Sequence, residues 1–292
     1  MIYIHFIINP ISGSAKHNLA TSYLLNQFPK EQYRIEVDYT KQKKHAIELT
    51  KAAISQNPDY IVACGGDGTI NEVASCLVGT TIKLGIIPVG SGNGLASNLN
   101  IPRDFAKAIA IIKKGITTSM DVGKINQYYF FSNMGIGIDA LIIKKYERSG
   151  NRTLSSYVKA ALSSSFEYKA QQAVVSYEDK VIKINPFMLF ISNSNEMGYN
   201  MSLTPKASLS DGILDMVIIP ELTFFEKLSL GFNVLRNSIE KFKKAQHTYV
   251  RKVHIEMPQK IFIDAQIDGE MQNLKTNVIE VSILPKGLEV LV

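Results

Sequence analysis

Three short segments carry the residue types from which a phosphate site is built. The first, Gly65-Gly66-Asp67-Gly68-Thr69-Ile70-Asn71-Glu72, follows an apolar strand-like run and opens a helical one. Glycines let the backbone come close to a ligand. A helix N-terminus offers free N–H groups and the positive end of its dipole to phosphate. Thr69 can cap that helix or bind a phosphate oxygen. A carboxylate among phosphates repels them unless a cation intervenes, so Asp67 implies Mg²⁺, although an Asx turn would use the same residue. The second segment, Pro88-Val89-Gly90-Ser91-Gly92-Asn93-Gly94, again lies between strand and helix, with Ser91 and Asn93 as short polar groups among glycines. The third, Asn9-Pro10-Ile11-Ser12-Gly13-Ser14, ends the first strand. Parallel strands set such loops side by side at the carboxyl edge of a sheet, where α/β proteins bind ligands. The three loops predict a nucleotide site. None carries the dinucleotide fingerprint or the Gly-Lys-Ser/Thr ending of a P-loop, so both of those classes are disfavoured.

These loops need a parallel sheet beneath them, and the first ~115 residues supply its pattern. Strand-like runs at Ile2–Ile8, Tyr33–Tyr39, Tyr60–Ala63 and Leu84–Val89 alternate with helical spacing over 15–28, 42–56, 69–77 and 104–114. Short apolar strands between helices imply a sheet covered on both faces. After about residue 117 strand signals dominate: 121–125, 128–132, 173–177, 181–191, 214–219, 250–257, 260–263 and 278–284. Helical inserts are expected around 152–166 and 224–244. The expected fold is α/β plus β: an N-terminal three-layer α/β nucleotide-binding domain over 1–118, and a C-terminal antiparallel β-sandwich-like domain over 119–287. A last strand, 288–292, is expected to return to the first domain.

The three loops together resemble the diacylglycerol-kinase type catalytic domain of bacterial lipid kinases, sphingosine kinases and ceramide kinases. The 65–69 signature is shared with NAD kinases. More selective are Asp211-Gly212-Ile213-Leu214-Asp215, Asp268-Gly269-Glu270 and Asn133-Met134-Gly135-Ile136-Gly137-Ile138-Asp139-Ala140, each similar to a lipid-kinase segment and in the same order. The second loop, Ser91-Gly92-Asn93-Gly94-Leu95-Ala96, is nearer the sphingosine and ceramide kinase version than the diacylglycerol kinase one. The resemblance implies ATP-dependent phosphoryl transfer to a lipid hydroxyl, with ATP and Mg²⁺ as cofactors. It implies a nucleotide-contacting set of Asn9, Thr40, Gly65, Gly66, Asp67, Gly68, Thr69, Asn71, Ser91 and Asn93. It implies Glu270 as the base that takes the hydroxyl proton and Asp268 as its orienting or metal-binding neighbour. By spacing alone the same three residues read as a hairpin turn with a solvated acid. It further implies a metal held by Asp211 with the carbonyls of Ser208 and Ile213, where an Asp-Gly turn is the plain alternative. Asp139, alone in an apolar stretch, must be hydrogen-bonded or lie in a cleft; recognition of the acceptor head group and a helix N-cap fit it equally. A NAD kinase-like enzyme and a non-catalytic nucleotide-binding regulator are the alternatives. The reaction is expected in a cleft between the two domains.

The rest of the composition bounds the partners. The chain has 292 residues, 46% of them hydrophobic, enough for full cores. Lys and Arg number 32 against 26 Asp and Glu, so the net charge is 32 − 26 = +6, suited to an anionic partner. Basic residues are not interleaved with stacking aromatics, which speaks against nucleic acid. Two cysteines, Cys64 and Cys76, form no disulfide framework and predict free thiols in a reducing compartment. With no membrane-length apolar run and no leader pattern, a cytoplasmic location is expected. Two basic stretches stand out: Lys144, Lys145, Arg148 and Arg152, then Arg236, Lys241, Lys243, Lys244, Arg251 and Lys252. The second follows an apolar run from Phe224 to Leu235. Such a pattern suits peripheral docking on an anionic membrane, and equally a helix packed on its own sheet with solvated charges. The expected partners are ATP, a lipid, that membrane surface and a second copy in a homodimer.

Overall fold

A computed structural model describes residues 1–13, 20–90, 92–150, 153–197 and 201–292. Two compact units emerge, Met1–Met120 with Lys286–Val292, and Asp121–Pro285.

The first unit runs β1 (Ile2–Ile8), α1 (Thr21–Gln27), β2 (Tyr33–Tyr39), α2 (His45–Ile54), β3 (Tyr60–Gly65), α3 (Asp67–Leu77), β4 (Lys83–Pro88), α4 (Gly94–Asn98) and α5 (Phe105–Lys114). The sheet order is β2-β1-β3-β4, parallel throughout. The helix expected over 15–28 is seen as Thr21–Gln27; residues 14–19 lie outside the described set. All six residues of β3 are buried, which accounts for an apolar run with no alternation. Helix α5 is bounded by its own sequence. Asp104 accepts from the Lys107 N–H, and Gly115 closes the helix in the left-handed conformation, φ 66°.

β5 (Thr117–Ile125) leads into the second unit, which continues with β6 (Tyr128–Phe130), β7 (Asn133–Gly137), α6 (Ile138–Arg148), α7 (Leu154–Glu167), β8 (Ala173–Tyr177), β9 (Lys180–Ile184), β10 (Pro186–Ser192), β11 (Leu214–Pro220), α8 (Phe224–Leu235), β12 (Gln246–Val250), β13 (Lys252–Glu256), β14 (Asp264–Ile267), β15 (Glu270–Asn273) and β16 (Val278–Leu291). An antiparallel sheet has the order β12-β11-β10-β7-β14-β15. A second antiparallel set joins the start of β16 to β13, β8 and β9. Between them lies a core that includes Phe130, Met134, Leu189, Ile191, Met216, Val253, Ile255 and Ile279.

Alternation along β10 and β11 sends Phe190, Val217 and Ile219 to the opposite face. There they form a separate core with Ile138, Ile142 and Ala160 of α6 and α7, and Leu230 of α8. β10 is therefore buried on both faces, and all seven of its residues are buried.

The sequence pattern misplaced several boundaries here. The run 181–191 is two strands divided at Asn185, because β9 pairs in one sheet and β10 in the other. The run 250–257 divides at Arg251 for the same reason. The stretch 260–263 is a turn, with Ile261 and Phe262 exposed, and the strand follows it as β14. The insert expected over 224–244 is α-helical only to Leu235, with a short 3-10 helix at Ile239–Lys241, and α6 is a helix that the strand pattern did not announce. The runs 278–284 and 288–292 form the single strand β16, whose end pairs parallel with β4 at Val290 and Leu84. Among the described residues no helix is long and apolar enough to cross a membrane. Cys64 is buried and Cys76 half-buried, both free, and burial pushes both thiols up.

Candidate functional site

In the first unit the three loops meet at the carboxyl ends of β1, β3 and β4. Backbone bonds set the spacing: the Asn9 N–H donates to the Cys64 carbonyl at 2.9 Å, and the Val89 N–H to the Gly65 carbonyl at 2.9 Å. Side chains then lock the loops. Asn9 Nδ2 donates to Thr69 Oγ1 at 3.1 Å. The Asp67 carboxylate accepts from the Asn93 N–H at Oδ2 and the Gly94 N–H at Oδ1, both at 2.8 Å. Asp67 thus ties the start of α3 to the start of α4. The loops are also in backbone contact. A Cβ on Gly90 would lie 2.5 Å from the Gly66 Cα, closer than any side chain permits.

Asn93 is 2% exposed and left-handed at φ 58°. Its Nδ2 donates to the Gly90 carbonyl at 2.6 Å, and its Oδ1 has no partner among the described residues. A buried amide oxygen left without a donor is costly, so this corner has unmet hydrogen-bonding capacity. Thr40 follows β2 and donates its N–H to the Ile8 carbonyl at 2.8 Å, beside Asn9 at the same sheet edge. Asn71, one turn into α3, accepts from Ser75 Oγ at 3.3 Å. Gly65 ends β3, and Gly68 lies in the first turn of α3. Ser91 lies outside the described residues. The structure therefore brings Asn9, Gly65, Gly66, Asp67, Thr69 and Asn93 into one cluster, with Thr40 at its margin. N–H groups open α3 with no side-chain cap among the described residues, an arrangement that suits an anion.

Asp67, expected to need a cation, has a backbone N–H on each oxygen. No three His, Cys, Asp or Glu side chains among the described residues converge on a metal position. Asp211, the expected metal ligand, is exposed, and its Oδ1 accepts from the Ile213 N–H at 3.2 Å, an Asp-Gly turn. Ser208 Oγ accepts from the Ser210 N–H. A second carboxylate holds this turn: buried Asp121 accepts from the Gly212 N–H at 2.6 Å.

In the second unit the hairpin of β14 and β15 carries Asp268, Gly269 and Glu270. Asp268 is 9% exposed and left-handed at φ 47°. Its Oδ1 accepts from the N–H groups of Ser132 and Asn133 at 2.8 and 3.0 Å, and its Oδ2 from that of Phe131 at 2.9 Å. Three donors fix this carboxylate, and with it the turn that presents half-buried Glu270. Gln266 adds to the bracing: its Nε2 donates to Asn133 Oδ1 at 2.8 Å, and its Oε1 accepts from the Gly269 N–H at 2.9 Å. Nothing in the sequence singled out Gln266, because an amide buried in a strand has no motif.

Asp139 lies in the first turn of α6 with Gly137 as the N-cap, so it is not itself the cap. It is 1% exposed, and its Oδ2 has no hydrogen-bond partner. A Cβ on Gly135 would sit 2.0 Å from that oxygen, so the glycine makes room for the acid. Burial lifts the Asp139 carboxyl to about 6, with neighbouring Gln266 pulling the other way. The carboxylate is shut away from solvent in this structure.

Two domain families divide the chain as the two sets of loops do. Residues 3–125 match the diacylglycerol kinase catalytic domain, and residues 132–292 match the YegS C-terminal NAD kinase beta sandwich-like domain. The chain belongs to the YegS C-terminal NAD kinase beta sandwich-like domain family over 132–292 and carries the diacylglycerol kinase catalytic domain over 3–125. Among its relatives are a diacylglycerol kinase of Bacillus subtilis, 27% identical over 272 residues, with 90% of this chain and 88% of the relative covered. Another is a probable lipid kinase YegS-like of Pectobacterium atrosepticum, 27% identical over 216 residues, 72% of each chain. In fold the chain is similar to a putative diacylglycerol kinase from Bacillus anthracis, with a TM-score of 0.79 at 22% identity over 99% of this chain and 94% of that one. In this kinase family setting, the interlocked loops occupy the domain named for catalysis, and Asp268 and Glu270 belong to the sandwich-like domain.

Proposed function

We propose that the protein is an ATP-dependent lipid kinase, transferring the γ-phosphoryl group to a lipid hydroxyl. The observation that carries this reading is the match, in order and over nearly the whole chain, to both domain families. The relatives named diacylglycerol kinase and lipid kinase support a lipid as the acceptor.

ATP phosphates bind at the start of α3, against Thr69 and the Asn9–Asp67–Asn93 cluster. Glu270 accepts the acceptor hydroxyl proton. The freed oxygen attacks the γ-phosphorus while the bond to the β-phosphate oxygen breaks, giving lipid phosphate and ADP. Asp268 acts through the turn it holds, as a positioning residue. Asp139 acts likewise, bracing Gln266 and so Gly269. Mg²⁺, when bound with ATP, would neutralise phosphate charge.

The test is ATP turnover by the full chain against diacylglycerol, phosphatidylglycerol, sphingosine, ceramide, undecaprenol and NAD. Phosphorylation of at least one lipid is expected. Turnover of NAD alone, or of nothing in the panel, overturns the reading.

A further inference from the structure

Two helices of the second unit each bury one stripe and show a second apolar stripe to solvent. On α8, Leu230 is buried in the outer core, while Phe224, Phe225, Leu228, Phe232 and Leu235 are exposed. At about 100° per residue these five fall within one arc of about 100°. On α7, Ala160 is buried and Tyr157 packs against the same core, while Leu154, Leu162 and Phe166 are exposed at i, i+8 and i+12. The stripes join at the helix ends. The Phe166 ring lies 5.9 Å from that of Phe224, which lies 5.5 Å from that of Phe225. Lys227 Nζ donates to the Ser165 carbonyl at 2.6 Å and pins α8 to α7. Phe225 is 79% and Phe166 71% exposed. Exposed aromatic and leucine side chains joined in this way mark an interaction surface.

Charge names the partner. Residues 224–244 hold Lys227, Arg236, Lys241, Lys243 and Lys244 against Glu226 and Glu240, a net of 5 − 2 = +3. Glu226 and Glu240 are already paired, with Lys244 at 2.7 Å and Lys206 at 3.3 Å. The side chains of Lys241 and Lys243, and of Lys159 on α7, are exposed and make no ion pair or hydrogen bond among the described residues. Arg236 lies over the exposed Phe232 ring, 4.5 Å from its centroid. By contrast, Lys144 and Lys145 of the other basic stretch are paired, with Asp264 at 3.1 Å and Glu167 at 2.6 Å, and Arg152 lies outside the described residues.

We propose that the α7–α8 face docks on an anionic bilayer surface. Its aromatic and leucine side chains enter the headgroup layer, and Lys159, Arg236, Lys241 and Lys243 meet anionic headgroups. A second copy fits less well, because a two-fold contact sets the same patch on itself and brings one cationic rim against the other. The purpose of docking rests on the lipid-kinase reading; its geometry does not.

The experiment is co-sedimentation of the full chain with phosphatidylcholine vesicles, with and without phosphatidylglycerol. Binding is expected only with the anionic lipid and should fall as salt rises. The pair Lys241→Gln and Lys243→Gln should weaken it about 10-fold or more. The pair Phe225→Ser and Phe232→Ser should abolish it with the melting temperature unchanged, since both side chains are already in water. Equal sedimentation with neutral and anionic vesicles, or full binding by both variants, overturns the proposal. A wild-type dimer that Phe225→Ser and Phe232→Ser convert to monomer assigns the face to a second copy and also overturns it. Turnover of detergent-dispersed lipid separates the two readings. Vesicle binding with no lipid phosphorylated sinks the kinase reading alone, and dispersed lipid phosphorylated without vesicle binding sinks docking alone.

Discussion

Asp268 and Asp139 are buried carboxylates of the same unit, both beside Gln266, yet their surroundings are opposite. Three backbone N–H groups converge on Asp268. Asp139 keeps an oxygen with no donor among the described residues. A buried charge is tolerable when donors replace its water and costly when they do not. The first arrangement makes a rigid strut. The second makes a group whose charge depends on pH within the working range.

The strongest test of that contrast is functional, because the strut's purpose is to present Glu270. Glu270→Gln should cut turnover about 10²–10⁴-fold while ATP affinity and the melting temperature stay as in wild type. A well-folded Gln variant with wild-type turnover removes Glu270 as the base. Next, Asp268→Ala leaves three partly or fully buried donors without their acceptor. It should lower stability by about 3–5 kcal/mol in urea unfolding. A loss under about 1 kcal/mol would show that water replaces the carboxylate and that the strut is not structural.

Asp139 should behave in the opposite sense. Its carboxyl sits at about 6 in the fold against an ordinary 3.8. A raised folded value contributes stability that is fully present below about pH 4 and lost as pH rises through 6. Asp139→Asn removes that dependence, so the variant should be more stable than wild type by about 2–3 kcal/mol at pH 7.5 and level with it below pH 4. Parallel stability curves for the two proteins would erase the comparison. The smallest effect is expected in the first unit, where Asp67 resembles Asp268 with two donors in place of three. Asp67→Asn keeps one acceptor and should cost about 1 kcal/mol, with a higher KM for ATP. An unchanged KM would mean that the two loops hold their spacing without it.

How much was legible follows from the kind of signal each residue gives. The three loops could be found because glycine clusters between apolar strands and helices have few other uses. The parallel sheet was legible in runs such as Tyr60–Gly65, buried on both faces and so apolar without alternation. Strands divided between two sheets were not. Residues 181–191 and 250–257 read as single runs, because the breaks at Asn185 and Arg251 arise from pairing partners distant in sequence. Asp67 shows a subtler gap. Its place among phosphate loops could be read, but the two N–H groups that meet its charge come from Asn93 and Gly94, 26 and 27 residues on.

The sequence alone therefore determined the things that depend on residue type and local spacing: the α/β start, the β-rich remainder, the glycine loops and the carboxylates available for chemistry. Tertiary structure decided which of those groups have partners. It gave three donors to Asp268 and, among the described residues, none to one oxygen of Asp139, and it paired Lys144 and Lys145 with Asp264 and Glu167 while the Lys241 and Lys243 side chains have no ion pair among those residues. It also decided which apolar stripe of α8 faces the sheet. Periodicity marks every apolar position on a helix, but only the packing of Leu230 against Val217 and Ile219 in the outer core leaves the stripe from Phe224 to Leu235 to solvent.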